Sequence, residues 1–240
     1  MYSLVETSIE LETSESKTAQ PLREVMWEPS EEYKKGTQMY KFLQQSGAFK
    51  GYEDLWQWSV DNGDEFWLSL LDFVDVVYEG SPEPVRDGNQ LPDVTYFPNV
   101  KLNFAENLLR HGAPESPLRD AEALVTISEA TDTRKSWSFA ELRDDASRVG
   151  NALRKHGITS DDSVGAYMPN LSETVIAMLG TTSTGAIWSS VSPDFGVQAV
   201  VDRFTQIAPR VLFTANGFVS KGKVSYMHDK IEELVASLPS

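Results

Sequence analysis

The apolar positions follow two rhythms. In the first half, large side chains recur at i, i+3 and i+4 in YEDLWQWSV (Tyr52–Val60) and DEFWLSLL (Asp64–Leu71), as packed helices require. Trp56 and Trp67 are assigned to that packing. TQMYKFLQ (Thr37–Gln44) reads as a short helix, and WEPS (Trp27–Ser30) as a rigid anchor leading into a helix start. Residues 75 to 98 are irregular, with SPEP (Ser81–Pro84) and RDGN (Arg86–Asn89) as turn material. LNFAENLLRHG (Leu102–Gly112) predicts a helix closed by Gly112 in the left-handed conformation.

From residue 121 short apolar runs alternate with amphipathic segments. ALVTI (Ala123–Ile127), SVGAYM (Ser163–Met168), AIWSSV (Ala186–Val191) and RVLFT (Arg210–Thr214) predict strands. SFAE (Ser138–Glu141) is a capping box that opens a helix through Arg154, stopping at His156-Gly157. Further helices are predicted at about 171–182, 194–207 and 226–238. Three strand–helix–strand steps with short loops define an α/β class, a parallel sheet with flanking helices preceded by an aromatic-rich helical segment. The chain divides into a mobile polar leader (1–24), the helical segment (25–111) and the α/β region (112–240).

Composition narrows the function. With 21 basic and 36 acidic side chains the formal net charge is -15, which opposes non-specific binding to nucleic acid or an anionic membrane. An anionic small ligand is still accommodated, because helix N-termini or a few lysines create local positive sites. There are no cysteines, so disulfides, thiolate metal ligands and cysteine nucleophiles are excluded. The N-terminus lacks a basic start followed by an apolar run, and no apolar stretch reaches the roughly 20 residues that span a bilayer. The default compartment is the cytoplasm.

Little catalytic chemistry is visible. His111 and His156 directly precede glycines in the last turns of helices, where a positive charge suits the dipole. Neither they nor His228 fall in a metal-ligand pattern. Thr181–Gly185 has one glycine and no lysine, too few for a phosphate loop, and reads as small residues that permit close packing. The chain has no G-x-G-x-x-G and no G-x-S-x-G. Asp144-Asp145 and Asp161-Asp162 read as solvated surface.

Two stretches stand out. In SSVSPDFGVQ, Ser192 fits an N-cap, Pro193 the first helical position and Asp194 the first turn. Loops after the carboxyl ends of parallel strands are also where ligands bind. This stretch is therefore either a well-capped helix start or a cap that also touches a ligand. KGK (Lys221–Lys223) is either a solvated turn or a phosphate contact.

At these residues the sequence resembles the N-terminal part of the acyl-adenylate-forming (AMP-binding) ligases, on their acetoacetate–CoA ligase branch. The resemblance rests on WEPS, YEDLWQWSV with Phe66-Trp67, and YFPNVKLNFAENLL (Tyr96–Leu109). It continues through VGAYMPN (Val164–Asn170) and WSSVSPDFGVQAVVDRF (Trp188–Phe204), covering about 25 to 240. It implies that 25–111 is an acetyl-CoA-synthetase-type N-terminal segment and 112–240 the start of an AMP-binding α/β domain. It implies a complete enzyme that uses ATP, CoA and Mg2+ to activate acetoacetate as an acyl-adenylate and transfer it to CoA. Ser192, Pro193 and Asp194 then border the CoA nucleotide, and Lys223, with Lys221 more weakly, meets its phosphates. The family's lysine-ended phosphate loop, its aromatic-Thr-Glu motif, its ribose-binding aspartate and its adenylation lysine are not among these 240 residues. The resemblance thus places no catalytic or metal-binding residue in this chain and implies that the isolated chain is inactive. A short-chain acyl-CoA synthetase of other acid specificity and a non-catalytic α/β interaction module are the alternative readings.

Overall fold

The computed structural model describes residues 26–46, 49–128 and 133–238, so the expected leader lies outside the described residues. The chain groups into two compact units, one up to Asp61 and one from Asn62 onward.

The first unit is helical. Ser30 caps α1 (Glu31–Gly36), its hydroxyl accepting the Tyr33 N–H at 3.2 Å. Thr37 links α1 to α2 (Gln38–Ser46): its hydroxyl donates to the Lys34 carbonyl at 2.7 Å and accepts the Tyr40 N–H at 3.1 Å. In α3 (Tyr52–Asp61) Leu55 is buried, whereas Trp56 is 49% exposed. Trp27 is also largely exposed, so the tryptophan of WEPS precedes a helix start but is not a buried anchor.

The second unit begins with α4 (Gly63–Phe73), where Trp67 is 41% exposed and meets the Tyr96 ring edge-on at 5.9 Å. Neither Trp56 nor Trp67 is the buried packing residue that spacing suggested. Periodicity marks one helix face but does not say whether anything covers it. Two short antiparallel ladders follow. β1 (Glu79–Gly80) pairs β4 (Val100–Lys101), while β2 (Arg86–Asp87) pairs β3 (Thr95–Tyr96). Asn103 caps α5 (Phe104–Leu109), which tightens into a 3-10 turn at Arg110–Gly112. Gly112 is not left-handed there. It is needed because a Cβ would lie 2.4 Å from the Phe139 carbonyl oxygen and 2.8 Å from Arg143 Cβ.

β5 (Glu122–Ser128) does not join the parallel sheet. It forms an antiparallel hairpin with β6 (Thr133–Ser138), which its polarity, TRKSWS, conceals in the sequence. Strands joined by so short a connection can pair only antiparallel. The Ser138–Glu141 capping box is reciprocal and opens α6 (Phe139–Lys155), which ends at Gly157 with φ +74°.

Three parallel strands form the central sheet. β7 (Ser163–Tyr167), α7 (Ser172–Thr182), β8 (Ile187–Val191), α8 (Val197–Ile207) and β9 (Val211–Thr214) assemble in the strand order β8-β7-β9. Strand β7 is central and almost wholly buried, as its continuous apolar run requires. A second hairpin, β10 (Gly217–Ser220) with β11 (Lys223–Tyr226), precedes α9 (His228–Ser237). The last helix therefore starts two residues later than expected, with Tyr226 in a strand. Tyr167, Val191, Val200, Phe204, Met227 and Leu234 form a core between the sheet, α8 and α9. Full burial of a side chain such as Phe204 contributes about 2–3 kcal/mol.

Small residues bring α6 against α7. A Cβ on Gly180 would lie 2.6 Å from the Val149 side chain, and one on Gly150 would lie 2.6 Å from Ser183 Oγ. Within the Thr181–Gly185 stretch Ser183 takes part in that contact, and at Gly185 (φ +85°) a Cβ would lie 3.1 Å from Ser160 Cβ. The hydroxyls of Thr182, Ser183 and Thr184 bond to carbonyls of their own helix.

Candidate functional site at the carboxyl edge of the sheet

Strand order locates the site. From β7 the chain crosses to β8 on one side, then returns across β7 to β9 on the other. In open α/β sheets such a reversal leaves a crevice at the carboxyl ends of the strands, where ligands bind. A cleft of about 730 Å³ lies at this edge. Its walls are Thr126–Ser128 of β5, Pro169–Leu171 after β7, and Gly217–Val219 with Lys221 and Gly222 of the second hairpin.

The hairpin turn is a two-residue one. Lys221 (φ +52°) and Gly222 (φ +74°) carry it, and both lie in the left-handed region. Asparagine or glycine occupies the first position with less strain than lysine does. Lys221 thus stands at the rim of the cleft, whereas Lys223 lies in β11, paired with Ser220 and exposed. KGK is a solvated turn in its backbone, with one lysine on the cleft.

The Ser192–Asp194 segment is not a helix cap. Helix α8 begins at Val197 after Gly196, and the preceding residues form a separate turn closed by the Phe195 N–H donating to the Ser192 carbonyl at 3.1 Å. The Ser192 hydroxyl donates to Asp194 Oδ2 at 3.2 Å and accepts the Asp194 N–H at 3.4 Å. Those local bonds compete with helix initiation and delay it. Pro193 is fully buried while Ser192 and Asp194 are exposed, so the turn is anchored by its proline and offers its polar side chains outward. Asp194 shapes this loop and does not cap α8.

Three groups hold the turn from below. The Tyr167 hydroxyl, at the end of β7, donates to the Phe195 carbonyl at 2.7 Å and lies 3.4 Å from the Pro193 carbonyl oxygen. Burial, then the Asp194 charge, pushes the Tyr167 phenol above its ordinary range, so it remains a donor at neutral pH. The Lys230 ammonium, in the first turn of α9, donates to the same Pro193 carbonyl at 3.2 Å. Arg203 covers the Phe195 ring, its guanidinium carbon 4.8 Å from the centroid.

Sequence reasoning missed Tyr167, Lys230 and the hairpin. One signal was available: a lysine in the first turn of a helix opposes the macrodipole and calls for a compensating partner. Conversely, Asp162 is more than solvated surface. It accepts the Thr159 N–H at 2.8 Å and the Arg210 guanidinium at 3.0 Å on each oxygen. Asp145 accepts the Trp137 indole N–H at 3.1 Å and pairs with Arg148. His156 ends α6 and His111 meets the Phe139 ring edge-on at 5.4 Å. Among the described residues no three His, Asp or Glu side chains converge as a metal site, and no helix is long and apolar enough to cross a membrane.

The fold defines an open α/β protein with a cleft at the carboxyl ends of its parallel strands. The chain belongs to the AMP-binding enzyme family, whose model matches residues 110–239. A second model, acetyl-coenzyme A synthetase N-terminus, matches residues 52–108. The chain is 39% identical to acetoacetyl-CoA synthetase of Macaca fascicularis over 237 residues, 93% of this chain and 34% of that protein. It is 37% identical to acetoacetyl-coenzyme A synthetase of Rhizobium meliloti (strain 1021), over 89% of this chain and 32% of the relative. It is 34% identical to malonamoyl-CoA synthetase of Penicillium aethiopicum, over 90% and 31%. Among solved structures, acetoacetyl-CoA synthetase from Streptomyces lividans superposes with a TM-score of 0.83 at 32% identity, covering 89% of this chain and 33% of that one. The chain thus spans about a third of the length of these relatives.

Proposed function

We propose that the chain is the N-terminal part of an acid–thiol ligase that makes acetoacetyl-CoA. In the first step a carboxylate oxygen of acetoacetate attacks the α-phosphorus of ATP, and pyrophosphate leaves. In the second, the CoA sulfur attacks the carbonyl carbon of the acyl-adenylate, and AMP departs. The observation that carries this reading is the 39% identity to an acetoacetyl-CoA synthetase along 93% of the chain. The 0.83 superposition on a second such synthetase supports it. Residues 25–111 are read as the acetyl-CoA-synthetase-type segment and 112–240 as the opening of the AMP-binding domain, a division that the two matched models support.

Within that enzyme we assign this chain to CoA and not to bond-making. Ser192, Pro193 and Asp194 border the CoA nucleotide, Lys223 meets a phosphate and Lys221 contributes more weakly from the cleft rim. The chemistry suits such a ligand: lysines stand close to strand ends in a chain of net charge -15, so the cationic groups are local and selective. Magnesium assists phosphoryl chemistry in such ligases by offsetting charge on the phosphates. The described residues offer no cluster to hold it, so no step here is routed through a metal.

A second reading keeps the site and changes the acid, because the malonamoyl-CoA synthetase is 34% identical over 90% of the chain. The deciding experiment offers acetoacetate, malonamate and acetate in turn to the protein that carries these 240 residues and follows acid-dependent pyrophosphate release. Preference for acetoacetate is expected, and preference for malonamate establishes the second reading. The 240 residues alone are expected to give no turnover with any acid.

A further inference from the structure

The turn after β8 is held by donors that come from elsewhere in the fold. Tyr167 is fully buried, and its hydroxyl reaches the Phe195 carbonyl from the end of the central strand. Lys230 reaches the Pro193 carbonyl from α9, 37 residues along the chain. The ion pairs of the described residues leave Lys230 without a carboxylate, in a chain that has 36 of them. A half-buried ammonium in a first helical turn opposes the helix dipole. A surface lysine would swing into water instead. Its place on a backbone carbonyl needs a reason in what that carbonyl positions.

We propose that Lys230, with the Tyr167 hydroxyl as second donor, is a positioning residue for the Ser192–Phe195 turn and thereby sets the affinity of that turn for the nucleotide end of CoA. The two donors grip successive parts of one backbone, on either side of Asp194. With both carbonyls held, Ser192 and Asp194 keep their mutual bonds and their outward direction. A turn ordered in advance loses less conformational entropy when ligand arrives. This inference rests on reading the turn as the rim of a CoA site.

The test compares wild type, Lys230→Met, Lys230→Arg and Tyr167→Phe as the full 240-residue chain. CoA binding is measured by calorimetry, and amide hydrogen exchange is followed at Asp194, Phe195 and Gly196. Lys230→Met is expected to weaken CoA by about tenfold, the effect of losing one charge-assisted hydrogen bond, and to speed exchange in the turn but not in α8. Lys230→Arg keeps a donor and is expected to restore most of the affinity. Tyr167→Phe, which removes only a hydroxyl, is expected to loosen the same amides. Unchanged CoA affinity in Lys230→Met overturns the proposal, as does an arginine variant no better than methionine, which would mark a packing role. A wild-type chain that binds no CoA counts against the rim reading, and turn exchange alone then decides whether Lys230 positions the turn.

Discussion

The Asp162 carboxylate accepts the Arg210 guanidinium on both oxygens at 3.0 Å, joining the loop before β7 to the residue that opens β9. The pair pins two neighbouring parallel strands at the amino edge of the sheet, the end away from the cleft. The Thr159 N–H, then Arg210, holds the Asp162 carboxyl below the ordinary carboxylate range. A carboxyl depressed in the folded state contributes stability that is complete above its unfolded pKa, about 3.9, and is lost as pH falls through the folded value. Asp162→Asn should therefore lower the Tm at pH 7, and the difference from wild type should shrink below about pH 4. Thermal unfolding across pH 2 to 7 checks this, and a pH-independent difference refutes it.

Gly180 and Gly157 separate two uses of glycine. At Gly180 a Cβ meets Val149 at 2.6 Å, so Gly180→Ala should force α6 and α7 apart and cost about 1–3 kcal/mol. At Gly157 no atom of the described residues lies within 4 Å of an added Cβ but φ is +74°, so Gly157→Ala should cost about 1–2 kcal/mol through backbone strain alone. In urea unfolding, the first loss should be relieved by Val149→Ala in the same chain and the second should not.

Thr181 is fully buried and its hydroxyl finds no hydrogen-bond partner among the described residues. Thr181→Val keeps the shape and removes the unsatisfied group. It should raise stability by about 1 kcal/mol, read as a shifted urea midpoint at unchanged slope.

Ala208 ends α8 at φ +44°, just before Pro209, a conformation that favours glycine. Ala208→Gly relieves strain of about 1–2 kcal/mol and adds unfolded-state freedom of about 0.4–1 kcal/mol, leaving a net gain of about 0.5–1 kcal/mol. A fall in Tm would show that the left-handed residue is not strained.

Lys223 tests the proposed ligand directly. In the protein that carries this chain, Lys223→Ala should raise the CoA concentration for half-maximal rate by about tenfold, the effect of one charge-assisted contact. The acetoacetate-dependent exchange of pyrophosphate into ATP should change little. Equal loss in both half-reactions would mark Lys223 as structural.

Much was legible in the sequence because it depends on neighbours along the chain. The Ser138–Glu141 capping box, the apolar run of β7 and the glycine stop at Gly157 each follow from local spacing. Strand β6 was hidden because its residues are mostly exposed, so polarity masked its pairing with β5. The turn at Ser192–Phe195 was misread as a cap because Ser-Pro-Asp suits both structures, and only the carbonyls held by Tyr167 and Lys230 choose between them.

By itself the sequence determined the helices and the strands β5, β7, β8 and β9, though not β6 or the β10–β11 hairpin, together with the acidic balance and a family resemblance that 39% identity to a known synthetase agrees with. The tertiary structure decided the strand order β8-β7-β9, which places the reversal, and hence the cleft, beside Pro169 and Lys221. It also brought Lys230 to a carbonyl 37 residues away. Periodicity is a property of one segment, whereas a site forms from segments that only the folded chain makes adjacent.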